Sequence, residues 1–111
     1  WLELHAIRYT HVPNEGLHKV QYRVKQKRLG VKPGVPDILI FDRPPLYPEN
    51  VGVAIELKRQ KGGRVTPEQT AWLEHLKARG WAVAVCRGAM EAIRFLQELG
   101  FGDGHEVAKR R

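Results

Sequence analysis

The chain has 111 residues, of which 42% are apolar, and its formal net charge is +7. This length fits one domain with one core, and the apolar fraction argues against wholesale disorder. The longest apolar runs reach about six residues where a membrane span needs about twenty, and no signal peptide is recognisable. A single cysteine excludes an internal disulfide, and the five histidines lack the spacing of zinc ligands. We therefore expect neither a zinc site, nor a small-molecule cofactor, nor a membrane partner.

Proline and glycine divide the chain into short elements. After a partial helix at the start, a short strand is expected over residues 8–12. Residues 17–29 favour a basic helix ended by Gly30, although apolar alternation through Val20, Tyr22 and Val24 leaves a strand possible. Residues 37–41 and 51–57 are typical of buried strands, joined by a proline-rich loop over residues 42–50.

The second half of the chain predicts helix, strand, helix. Thr66 is a good N-cap, Pro67 suits the first helical position, and Gly80 ends the helix. A strand follows over residues 81–86, then a helix over residues 89–99, and residues 101–111 are expected to form a loosely ordered basic tail. The two helices should bury their apolar faces. These faces consist of Gln69, Trp72, Leu73 and Leu76 in the first, and Ala92, Ile93, Leu96 and Leu99 in the second. The fold class is α/β, with a mixed sheet flanked by helices.

Basic residues concentrate in one stretch of the chain. Between Gly16 and Pro36 there is no acid but six bases. They are Lys19, Arg23, Lys25, Lys27, Arg28 and Lys32. A run of this kind indicates either a solvated helix face or a surface that meets phosphates.

Two carboxylates and a lysine stand at the ends of neighbouring predicted strands. Asp37 begins one strand, and Glu56 and Lys58 share a face near the end of the next, because side chains alternate along a strand. If the strands pair as a hairpin, the two acids meet at one end of the sheet. One or two carboxylates together with phosphate oxygens are the usual ligands of Mg²⁺, and a lysine beside the metal can orient a water or take its proton. Taken singly, the Glu-Leu-Lys triplet and the Pro-Asp dipeptide are more often structural.

Three blocks of sequence carry a family resemblance. They read GVKPGVPD at residues 30–37, IELK at 55–58 and TPEQ at 66–69. In this order they resemble the VRR-NUC (virus-type replication-repair nuclease) family of the PD-(D/E)XK nuclease superfamily. The loop VPNEG at residues 12–16 and the last strand and helix are similar to the family too. The resemblance covers about residues 10–98 and implies a restriction-endonuclease-like core in a single domain over residues 1–111.

The resemblance implies a Mg²⁺-dependent DNA endonuclease in which Mn²⁺ would substitute. Asp37, Glu56 and the backbone carbonyl of Leu57 would hold the metal, and Lys58 would be the catalytic lysine. Gln69 matches a glutamine that the family presents to the active site. The same residue also completes a capping box with Thr66, so both roles stay open.

The resemblance also implies a partner and an assembly. Stand-alone members of this size are similar to homodimers that cleave branched DNA, including four-way (Holliday) junctions in DNA repair, so the protein would be intracellular, in the cytoplasm of a bacterial or phage-infected cell. The basic stretch would then bind DNA together with three residues after the catalytic strand. These three are Arg59, Lys61 and Arg64. The alternatives are a nuclease that acts on duplex DNA or DNA ends and a DNA-binding module of this fold that does not cut.

One feature departs from the family pattern. Members generally carry an acidic residue on a helix at the beginning of the domain. Here the chain begins at Trp1, and Glu3 is the only acid among residues 1–9. Either Glu3 supplies this carboxylate, or the matching residue lies upstream, with the start of the first helix, and is absent; we favour the second.

Overall fold

The protein is described here from a computed structural model that covers residues 1–12 and 32–102. The described residues form four strands and two helices. These are β1 (Tyr9–His11), β2 (Ile38–Ile40), β3 (Gly52–Lys58), α1 (Pro67–Ala78), β4 (Trp81–Arg87) and α2 (Ala89–Glu98). All six were predicted, with boundaries that agree to within one or two residues. The predicted element at residues 17–29 and the tail from residue 103 lie outside the described residues.

The strands form one mixed sheet in the order β1-β2-β3-β4. The first three are antiparallel neighbours, and β4 lies parallel to β3 after the crossover through α1. Ile38 pairs with Ile55, which sets Asp37 opposite Glu56 at the next position of the ladder. The predicted hairpin between the two acid-bearing strands is therefore confirmed.

Alternation along β2 and β3 divides the sheet into an apolar face and a polar one. Ile40, Val53 and Ile55 are fully buried on the first face, where they form the core together with Leu96 and Cys86. Helix α2 packs on this face because its apolar residues recur at helical spacing. Helix α1 covers the opposite face, chiefly over β4, and buries Leu73. No helix within residues 1–12 and 32–102 is long and apolar enough to cross a membrane.

The structure corrects two expectations at the ends of the described chain. The partial helix at the start is absent, because residues 2–6 form turns that end where Ala6 takes a left-handed φ of 56°. Phe101, expected in the loose tail, is 3% exposed and belongs to the core. Gly100 makes this possible, because its φ of 97° turns the chain back towards the sheet immediately after α2.

Candidate active site

The two predicted carboxylates meet at one end of the β2–β3 ladder. Asp37 precedes β2, and its Oδ2 accepts a 2.8 Å hydrogen bond from the Leu57 amide. This bond crosses from one strand to the other and places the backbone of Leu57, a predicted carbonyl ligand, next to the Asp37 carboxylate. Glu56 stands opposite Asp37 on the polar face of the sheet. A single register therefore brings both acids to one place.

Glu56 is an acid in an unusual environment. It is 2% exposed, and its Oε2 is buried without a hydrogen-bond donor from the described residues. Burial, and then the neighbouring Asp37 carboxylate, raise the pKa of Glu56 to about 8, although Lys58 opposes the shift. The ionised form is thus penalised by lost hydration and by a like charge. A cation placed between the two acids would remove both penalties.

Gln69 connects the carboxylate to the lysine. Its Nε2 donates to Glu56 Oε1 (3.1 Å), and its Oε1 accepts from Lys58 Nζ (2.8 Å). Lys58 Nζ itself lies 3.9 Å from Glu56 Oε1. One amide therefore holds the acid and the base of the site at fixed positions, with its donor end on the former and its acceptor end on the latter.

The same glutamine caps α1. Its Oε1 also accepts from the Thr66 amide (2.9 Å), and its own amide donates to Thr66 Oγ1 (3.2 Å). The capping box and the contacts to Glu56 and Lys58 are formed at the same time. The two roles predicted for Gln69, structural and within the site, are thus compatible in one conformation.

A Pro-Gly turn ahead of Asp37 closes one side of the site. Gly34 has a φ of 86°, and a Cβ there would lie 2.7 Å from backbone and side-chain carbons of Glu68 in the first turn of α1. Only glycine allows so close an approach. Sequence reasoning did not assign this contact, although a Pro-Gly pair is a recognisable turn signal. The turn, the strand ends and the first turn of α1 enclose a cleft of about 390 Å³.

The predicted DNA-binding residues divide into two groups. Lys32, Arg59, Lys61 and Arg64 are all exposed, and they adjoin in sequence the residues that line the cleft. The remaining five lie outside the described residues. They are Lys19, Arg23, Lys25, Lys27 and Arg28.

The residues at this site fit a hard divalent cation with few protein ligands. Glu56 Oε2 is a buried anionic oxygen without a donor, and the Asp37 carboxylate lies beside it. No cluster of three or more His, Cys, Asp or Glu side chains suitable for a metal occurs within the part of the chain that the structure describes. Glu3 does not join the pair, since it accepts from the Tyr9 hydroxyl (3.2 Å) and lines an apolar cavity on the other face of the sheet. Two carboxylates with waters and phosphate oxygens are a coordination set typical of Mg²⁺.

A mixed sheet with flanking helices, and with two acids and a lysine at the ends of neighbouring strands, defines a nuclease-type α/β domain. The sequence profile of the VRR-NUC domain matches residues 3–90. A solved structure described as a VRR_NUC domain protein is 31% identical, with a TM-score of 0.64, over 87% of this chain and 73% of its own. A comparison with curated proteins finds no match. The chain belongs to the VRR-NUC domain family, as its sequence blocks suggested. It is thus a nuclease-type domain with DNA as its class of substrate, in a family that generally uses a divalent metal.

Proposed function

We propose that this protein is a divalent-metal-dependent endonuclease that hydrolyses phosphodiester bonds in DNA. The observation that carries the proposal is the arrangement of Asp37, Glu56, Lys58 and Gln69 around one cleft. A buried carboxylate oxygen without a donor is costly in a protein interior. Its retention beside a second carboxylate is understandable if the site exists to hold a cation.

Each residue has a distinct part in this proposal. Asp37, Glu56 and the Leu57 carbonyl hold Mg²⁺, or Mn²⁺ in its place. When bound, such an ion neutralises charge on the scissile phosphate and acidifies a water. Lys58 gives one ammonium hydrogen to Gln69 Oε1 and has two others for oxygens at the reacting phosphorus. Gln69 is a positioning residue, because it holds Glu56 and Lys58 apart by a fixed distance.

The basic residues supply affinity for DNA in this proposal. Lys32, Arg59, Lys61 and Arg64 are exposed near the cleft, and the five bases from Lys19 to Arg28 add to the same positive surface. Contacts between such residues and phosphates release counterions, so affinity should fall with salt by about 0.9 log units per log unit of salt for each phosphate neutralised.

For the substrate we propose branched DNA, in particular four-way (Holliday) junctions, with a homodimer as the acting form. Support comes from the family resemblance and from the absence of sequence features that read bases, such as a recognition helix or a ladder of stacking aromatics. A junction has two-fold symmetry, and two active sites related by the same symmetry could cut it in pairs. Recognition would then depend on DNA shape, in keeping with a role in DNA repair within the cell.

The proposal is tested by incubating the protein with end-labelled junction, duplex and single-stranded DNA in Mg²⁺, in Mn²⁺ and with chelator. Lys58→Ala should abolish cutting without abolishing binding. Lys77→Ala removes the same charge from the exposed end of α1 and is the matched control. Paired, near-symmetric cuts in the junction alone support the full proposal, and metal-dependent cutting of every DNA keeps the site but rejects the junction specificity. Cutting that survives Lys58→Ala contradicts the site assignment.

A second candidate is a DNA-binding module of the same fold that does not cut. It is favoured by one observation, namely that the described residues bring two carboxylates together and not a third. Salt-sensitive DNA binding without cleavage in either metal would identify this function. Addition of Mg²⁺ separates the candidates further, because a thermal shift that disappears in Asp37→Asn indicates a metal site that is loaded but inactive.

A further inference from the structure

A short basic loop follows the strand that carries Glu56 and Lys58. Between β3 and the N-cap of α1 it holds three exposed bases, Arg59, Lys61 and Arg64. It turns at Gly62 and Gly63, whose φ values of 74° and 66° are both left-handed. Two such glycines in succession give a chain with much freedom in the unfolded state, so a fixed shape requires bonds from elsewhere in the protein.

These bonds come from the end of β4. Arg87 Nη1 donates to the carbonyl oxygens of Arg59 (3.2 Å) and Gly62 (2.6 Å), one on each side of the turn. The Gly88 amide donates to the carbonyl of Lys58 (3.0 Å). Arg87 is itself anchored, because its amide donates to Glu91 Oε1 (3.1 Å) in the first turn of α2. The loop is therefore closed by one guanidinium that stands on a rigid strand–helix junction.

The loop also touches the lysine of the site. Arg87 is the register partner of Lys58 in the parallel β3–β4 ladder, so the two side chains start from the same face of the sheet. The backbone at Gly63 lies against the Lys58 side chain, since a Cβ at this glycine would be 3.7 Å from Lys58 Cδ. The shape of the loop and the place of the Lys58 stem are thus linked.

We propose that Arg87 is a positioning residue for DNA binding, which fixes the 59–64 loop in one shape so that phosphates meet three bases already in place. The inference rests on the proposed function and deepens it. Its physical reason is that a loop ordered before binding does not pay the ordering entropy on association. Arg87 acts through the loop carbonyls and not through its own charge. Its removal should therefore cost more phosphate contacts than the one charge that is lost.

The test compares the salt dependence of DNA binding in Arg87→Gln and Arg94→Gln. Each variant loses one positive charge, but Arg94 is exposed on α2, which packs on the other face of the sheet. The loss of one phosphate contact lowers the slope of log K against log salt by about 0.9, and the loss of all three loop contacts lowers it by about 2.7. We expect a decrease well above 0.9 for Arg87→Gln and almost none for Arg94→Gln. In cleavage, KM should rise several-fold more than kcat falls.

A decrease of 0.9 or less in Arg87→Gln, with salt-sensitive binding intact in the unchanged protein, overturns the inference and leaves the proposed function standing. Failure of the unchanged protein to bind DNA overturns both. Tryptic cleavage after Lys61, followed by mass spectrometry without DNA, gives an independent readout of the loop. Arg87→Gln should be cut there at least several-fold faster, and equal rates count against the inference.

A second variant covers the case in which Arg87→Gln does not fold. Gly62→Ala strains the turn through its positive φ, whereas the added Cβ meets nothing nearer than Arg59 Nη2 at 3.9 Å. The alanine leaves every charge in place. A lower salt slope in this variant supports the need for a fixed loop, and an unchanged slope rejects it.

Discussion

Glu56→Gln should make the metal-free protein more stable, by an amount that grows with pH. The pKa of Glu56 is raised from 4.5 to about 8 in the folded state, first by burial and then by Asp37. A group with a raised folded pKa contributes stability that is fully present below the unfolded pKa and is lost as pH rises through the folded one. Glu56 therefore weakens the fold progressively between about pH 4.5 and pH 8. Glutamine in its place stays neutral throughout and retains an acceptor for Gln69 Nε2.

The size of the effect follows from the shift. Each pKa unit corresponds to about 1.4 kcal/mol, so the free energy of unfolding of the variant relative to the parent should rise by about that amount per pH unit. Over the window from pH 5 to pH 8 the sum approaches about 4 kcal/mol, which is a large fraction of the stability of a small domain. Because Glu56 is 2% exposed, little of this is lost to screening by solvent.

The assay is urea unfolding in chelator at pH 5, 6, 7 and 8, followed by tryptophan fluorescence. The difference between variant and parent cancels the titration of all other groups. Glu74→Gln, at an exposed position on α1, is the control and should show no trend with pH. A flat difference for Glu56→Gln would mean that the buried acid ionises at an ordinary pH, and would refute the account of the site as a cage for a cation.

Three further outcomes are expected. Metal binding must displace the proton from Glu56, so apparent Mg²⁺ affinity should rise up to about tenfold per pH unit as pH approaches 8; calorimetry that shows no pH dependence would contradict this. Thr66→Ala should lower stability by about 1 kcal/mol and also slow cleavage, since Gln69 loses the bond that holds its backbone, and Thr66→Ser should restore both; full activity in the alanine variant would separate cap from site. Gly34→Ala should reduce the free energy of unfolding by about 2 kcal/mol or more, because strain at positive φ adds to overpacking. Gly80→Ala, with a φ of 94° and no atom nearer than 3.9 Å to the new Cβ, isolates the strain, and equal losses in urea would rule out the close approach at Gly34.

The sequence predicted those parts of the fold that local signals determine. Alternating or continuous apolar runs marked β2, β3 and β4, and Thr66 with Pro67 marked the start of α1. The hairpin between β2 and β3 followed because two apolar strands joined by a short proline-rich loop pair most simply in the antiparallel sense. With this pairing, the position of Asp37 opposite Glu56 required no further information.

Other parts depend on contacts between distant segments and could not be predicted. The burial of Phe101 depends on how Gly100 turns the chain after α2, and the grip of Arg87 on the 59–64 loop joins residues 25 and 28 positions apart. A basic residue at the end of a strand is as consistent with solvent exposure as with a hydrogen bond to a loop. The roles of the individual site residues and the choice of DNA structure remain predictions, since geometry alone does not distinguish a nuclease from an inactive relative.

The double use of Gln69 has a consequence for the population of competent molecules. The first turn of a helix is the part that frays most readily, and here fraying breaks the bonds to Glu56 and Lys58 together with the cap. Local opening at residues 66–69 and loss of the assembled site are therefore one equilibrium. The protection of the Gln69 amide against hydrogen exchange then reports the fraction of molecules in which the site is assembled, before any DNA is added.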